Sequence, residues 1–185
     1  GIDERGGHVR EDEVVAALVQ QQPDEAAPDV PGAEVDGLHE EGVRVRTIGD
    51  LSALPAETRE AFDEAWEKTR DNDGMTLVVA VNYGGRQEIL RACRGCMREA
   101  VLLGEETGEV IEPTEEMFER GLYTFGMPDP DLVIRTSGEM RISNFLLWQG
   151  AHAEFDFPSV AWPDFTVEHF ELEIQCYALC SRMIT

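Results

Sequence analysis

Positive charge is what this chain has least of: 15 Lys and Arg stand against 38 Asp and Glu, a formal net charge of -23 over 185 residues. A nucleic-acid backbone would be repelled by such a surface, so no nucleic-acid partner is expected, and any phosphate site must be a local arginine cluster. Cysteine is scarce as well. Its four copies, Cys93, Cys96, Cys176 and Cys180, lie in segments that read as helices. That argues against a disulfide framework, and zinc is disfavoured because the two pairs fall on helices expected on opposite sides of a shared sheet. No secretory signal and no apolar run of bilayer length is present, so the expected setting is reduced and cytoplasmic, with organellar targeting left open. The chain begins at Gly1 in place of Met, which suggests a processed or shortened product.

Aromatic side chains are missing from the first 41 residues. This stretch is rich in acids, Gln, Ala, Gly and Pro and has little to bury, so residues 1–41 are expected to be an acidic, disordered leader. Glu11–Gln22 could form a short helix with Val14, Val15, Leu18 and Val19 on one face, and the QQQPDEAAPDVPGAEVDG that overlaps its end reads as linker. Residues 42–185 are expected to be one domain, with enough apolar side chains for a real core.

From Val43 the pattern changes. VRVRTIGD alternates β-branched and charged residues into a Gly-Asp turn, and Pro55 starts a helix over Ala56–Arg70 with Phe62, Ala65 and Trp66 on one face. The unbroken apolar run Met75–Val81 has strand length and suits burial in a parallel sheet. The turn Asn82-Tyr83-Gly84-Gly85-Arg86 then leads into a helix over Gln87–Leu103. Further on, the spacing predicts a short helix from Pro113 to Leu122, strands at Leu132–Arg135 and Ala153–Phe157, and helices at Ser143–Gln149 and Val167–Ser181. This order predicts an α/β fold with an open, mostly parallel sheet flanked by helices, whose ligands bind beyond the carboxyl ends of the strands.

Two such ends carry candidate chemistry. Arg135, Arg141 and Ser143 offer two guanidinium forks and a hydroxyl beside the start of a predicted helix, which suits a diphosphate. Glu139 could orient one of the arginines. The alternative is that both arginines form structural ion pairs with Glu139 and Asp131. Glu154, with Asp156 on the same strand face, is either a metal ligand or an exposed strand residue. His8, His39 and His169 read as solvated, Phe145–Trp148 as core or dimer contact, and Trp162-Pro163 as a packed turn.

Taken together, VRVRTIGD, LVVAVNYGGRQEI and PDPDLVIRTSGEMRISNFLLWQGAHAEFDFPSVAWPDF resemble successive regions of the cis-prenyltransferases, which include undecaprenyl and dehydrodolichyl diphosphate synthases. The resemblance covers about Asp36 to Phe170. It implies transfer of isopentenyl diphosphate units onto an allylic diphosphate such as farnesyl diphosphate, making Z double bonds with Mg²⁺ assisting departure of the allylic diphosphate. It also implies that Arg135, Arg141 and Ser143 hold the isopentenyl diphosphate as catalytic and substrate-binding residues, that Asn82 and Arg86 support the substrate site, and that Glu154 binds the metal. A homodimer or heterodimer, and peripheral membrane association through the product, would follow, with Arg182 as a remnant of the family's tail. The family's DGNxRWA and FSTENW-like segments do not occur in this sequence, so the first strands of the family fold and the allylic site are expected to be lacking. His152 and Asp156 also depart from the family pattern. An accessory subunit or diphosphate-binding module, working in a dimer with a complete partner, is therefore the alternative to a catalytic chain.

Overall fold

The structure, a computed structural model, describes residues 32–184, so the proposed Glu11–Gln22 helix lies outside the described residues. The chain divides after Pro128 into two compact units.

The first unit opens with helix α1 (Gly32–Glu40), followed by strand β1 (Arg44–Ile48), helix α2 (Ala56–Thr69), strand β2 (Thr76–Ala80), and helices α3 (Gly85–Thr107) and α4 (Glu115–Glu119). α1 corrects the sequence reading, which placed these residues in the leader. Its acidic, glycine-containing sequence offers only Val35 and Leu38 as anchors, and these pack with Val45 and Ala65 in a small apolar cluster. α2 buries Phe62, Ala65 and Thr69, while Trp66, expected on the inner face, is 39% exposed. Thr69 takes the third inward position because its hydroxyl has work there. It accepts from Val45 N at 3.0 Å and donates to Ala65 O at 2.8 Å, so the helix satisfies an edge amide of β1 that the sheet leaves open.

β1 and β2 pair in parallel, Arg44 opposite Thr76 through Ile48 opposite Ala80. At their carboxyl ends the backbones nearly touch: a Cβ on Gly49, where φ is +111°, would stand 2.0 Å from Val81 O. Only glycine fits there. α3 ends on Gly108 in the left-handed conformation, and Thr114 caps α4 by accepting from Met117 N at 3.2 Å. Gly121 lets the turn after α4 press on α3, since a Cβ there would lie 2.5 Å from Ala92 Cα. Arg91 stacks over the Tyr123 ring at 4.4 Å from its centroid and donates to Gly121 O.

The second unit contains strands β3 (Leu132–Ile134) and β4 (Glu154–Asp156), paired in parallel, and helix α5 (Val167–Ile184). The expected α/β character and parallel pairing are both present, in two two-stranded ladders. No helix among the described residues is long and apolar enough to cross a membrane.

The helix predicted over Ser143–Gln149 is not formed. Ser143, Asn144 and Leu146 have φ of +51°, +62° and +38°, a left-handed conformation that an α-helix of L-residues cannot contain. Turns run instead to a short 3₁₀ segment, Gln149–His152. Phe145 and Leu146 are buried all the same, which accounts for an apolar run that reads equally well as helix.

Candidate functional site

Arg135 leaves the carboxyl end of β3 with its backbone N–H donating to Asp156 O at 2.9 Å. The loop it enters is tied down by Ser137 N to Val160 O at 2.7 Å and Gly138 N to Pro158 O at 2.9 Å. Ser137 joins the later residues at positive φ. Such a density of left-handed non-glycine residues stores strain that surrounding contacts must hold, as functional loops commonly do.

Within this loop the predicted residues converge. The Arg135 guanidinium donates to Arg141 O at 2.6 Å, to Ser143 Oγ and to Glu139. Arg141 meets the same carboxylate at 2.8 and 2.9 Å. The ion-pair alternative is therefore realised with Glu139, which binds both arginines; Asp131 instead offers its carbonyl to Glu154 N at 2.8 Å. Two guanidinium groups against one carboxylate leave an excess of one positive charge. The side chain of Arg135 is 27% exposed and that of Arg141 68%, so Arg135 is the fixed anchor and Arg141 the outward arm. With no helix starting at Ser143, an anion here would be met by side chains, and the expected helix-end contribution is withdrawn.

Glu154 is half-buried at the start of β4, in register with Leu132. Among the described residues no group of three or more His, Cys, Asp or Glu is placed to hold a metal ion. Asp156, two positions on, is already engaged: its Oδ1 accepts from Phe157 N at 2.6 Å, and its carboxyl shares a hydrogen bond with Glu173 of α5. Magnesium keeps several waters and is usually held by one or two carboxylates plus substrate phosphates. Glu154 alone fits such a site only if phosphate oxygens complete it.

Glu173 is buried, and its hydrogen bond to Asp156, burial and the Asp156 charge push its carboxyl up to about 7. An acid whose pKa is higher in the fold than in the unfolded chain stabilises the fold below its unfolded pKa, and that contribution is lost as pH rises through the folded value. The wild-type chain should therefore lose on the order of 2 kcal/mol between about pH 4.5 and pH 8. Urea midpoints across that range should fall for the wild type and flatten for Glu173→Gln; equal slopes would contradict the assignment.

In the first unit, Asn82 is committed to the backbone. It sits at φ +47°, its Nδ2 donates to Asp50 O at 2.9 Å, and it laces the ends of β1 and β2 together. Hydrogen bonds from Ser52 Oγ and N hold the Asp50 carboxyl below its ordinary value. Arg86 is exposed in the first turn of α3. Sequence reasoning missed Glu88, 1% exposed, which accepts from Tyr83 Oη at 2.5 Å and from Tyr123 N at 2.8 Å. Tyr83 in the turn and Glu88 one helical step beyond it were the available signal. Of the remaining readings, His169 is half-buried, not fully solvated; its Nδ1 accepts from Thr166 N at 3.1 Å and its ring stacks on Phe165. Trp162 stacks on Phe165 yet is 58% exposed.

Comparison with known proteins gives a consistent result. The family model described as "Putative undecaprenyl diphosphate synthase" matches residues 9–184, which extends upstream of Asp36, where the resemblance was placed. An isoprenyl transferase of Clostridium perfringens is 51% identical over 144 residues, covering 78% of this chain and 56% of that protein. One from Thermotoga maritima is 48% identical over 149 residues, covering 80% and 62%. The chain thus spans about three-fifths of these relatives. Among solved structures, lavandulyl diphosphate synthase from Lavandula x intermedia, in complex with dimethylallyl diphosphate, aligns with a TM-score of 0.68 and 29% identity over 89% of this chain and 75% of that one. A probable undecaprenyl diphosphate synthase from Campylobacter jejuni aligns with a TM-score of 0.64 and 32% identity over 80% and 65%.

Proposed function

This chain belongs to the undecaprenyl diphosphate synthase family, the cis-prenyltransferases, and from that premise we propose that it binds isopentenyl diphosphate and takes part in its transfer onto an allylic diphosphate, such as farnesyl diphosphate, to make a Z-polyprenyl diphosphate. The observation that carries this reading is the convergence of Arg135, Arg141 and Ser143 at the end of β3. Arg135 and Arg141 would neutralise and orient the diphosphate, and Ser143 would donate to one of its oxygens. In the overall reaction the allylic carbon–oxygen bond breaks, the isopentenyl double bond supplies the electrons of the new carbon–carbon bond, and a proton leaves the adjacent carbon. Mg²⁺, held by Glu154 and substrate oxygens, would offset charge on the departing diphosphate. By resemblance to the family, Asn82 and Arg86 would also contact substrate, Asn82 from the turn it fixes at the end of β2. A homodimer or heterodimer in the cytoplasm, associated peripherally with a membrane through its product, is the setting proposed, with organellar targeting left open.

A second reading, an accessory or diphosphate-binding subunit of a dimer, draws on the engagement of Asp156 with Phe157 N and Glu173, which leaves Glu154 as the one carboxylate of β4 proposed for the metal. Incorporation of radiolabelled isopentenyl diphosphate with farnesyl diphosphate and Mg²⁺ separates the two. Turnover by the purified chain supports the catalytic reading. Binding without turnover, with activity appearing on mixing with a complete partner, supports the accessory one, and absence of isopentenyl diphosphate binding defeats both.

A further inference from the structure

Arg44 and Arg46 lie two positions apart on β1, so their side chains leave the same face of the strand, and both are half-buried. Their in-register neighbours on β2, Thr76 and Val78, are buried and uncharged. In so acidic a chain, two adjacent arginines should find carboxylates. Among the described residues neither does, whereas Arg70, Arg120, Arg135 and Arg141 all form ion pairs. Arg44 donates to the Asn72 carbonyl, and its Nε is buried without a hydrogen-bond partner. The Arg46 side chain has no hydrogen bond or ion pair among the described residues. Burial first, and the neighbouring Arg44 charge second, hold its guanidinium below its ordinary value. Partly desolvated like charges side by side are costly unless a counter-charge joins them.

We propose that Arg44 and Arg46 form an anion-receiving site on β1 that takes an oxyanion of the carboxylate or phosphate type. It is separate in sequence and in unit from the Arg135–Ser143 loop. The required chemistry is that of a free small oxyanion, with inorganic phosphate as the probe.

The test uses the full chain and inorganic phosphate at constant ionic strength, read by thermal midpoint and by the Arg Nε–Hε resonances. If the site takes a free ion, phosphate raises the wild-type midpoint saturably and shifts the Arg44 and Arg46 resonances. Arg46→Met then abolishes the response, while the Arg135→Met/Arg141→Met double variant keeps it. The proposal is overturned if the wild type does not respond, or if the response survives Arg46→Met. The wild-type resonance shifts decide the matter should Arg46→Met fail to fold.

Discussion

Arg135→Ala is expected to weaken isopentenyl diphosphate binding on the order of 100- to 1,000-fold, because a guanidinium–phosphate fork supplies two charge-assisted bonds of about 1.5–3 kcal/mol each. The loss goes beyond the direct contact. Arg135 also bonds Ser143 Oγ and Arg141 O, so removing it loosens the hydroxyl and the backbone that carries the second arginine. Arg141→Ala should cost less, about tenfold, since Arg141 is the more exposed of the two and solvent screens its charge. Equilibrium binding of labelled isopentenyl diphosphate reads both variants, with circular dichroism confirming the fold. An Arg135→Ala affinity within twofold of wild type would show that the cluster is a structural ion pair with Glu139 and nothing more.

Glu88→Ala should destabilise the chain by about 3–5 kcal/mol, among the larger effects a single substitution produces. The carboxyl is buried between two donors, Tyr83 Oη and Tyr123 N. Without it the buried Tyr83 Oη and the part-buried Tyr123 N lose this acceptor, each at a cost of about 1–3 kcal/mol, and a cavity opens beside them. Glu88→Gln, which keeps one acceptor oxygen, should lose about half as much. Urea denaturation monitored by Tyr and Trp fluorescence gives the comparison. A Glu88→Ala loss below about 1 kcal/mol would mean that the two tyrosine groups find other acceptors.

The sequence made plain those elements whose residues state their surroundings. The Met75–Val81 run read plainly as a strand, although β2 buries only the face of Thr76, Val78 and Ala80 and leaves Leu77 and Val79 half-buried. The Phe62 and Ala65 spacing marked the inner side of α2. Arg135, Arg141 and Ser143 were visible because charge and hydroxyl donors are rare next to an apolar strand in so acidic a chain. What stayed hidden depends on quantities that composition does not encode. The signs of φ at Ser143, Asn144 and Leu146 turn NFLLW from helix into turns while leaving its burial unchanged. Glu88 looks like any surface glutamate on a helix until the turn after α4 folds over it. α1 was obscured because Val35 and Leu38 suffice to anchor it once Val45 and Ala65 are in place, whereas its local propensity alone is poor. Glu139 was half legible: its proximity to both arginines follows from spacing, its sharing between them does not.

One consequence of parallel pairing concerns time more than affinity. β3 and β4 run in the same direction, so everything between them, the Arg135–Ser143 loop included, is the crossover that must be threaded before the ladder can close. The loop that would grip a diphosphate is thus also part of the segment whose closure entropy must be met before the ladder forms. Changes to the length of that loop should register as slower refolding before they register as weaker binding.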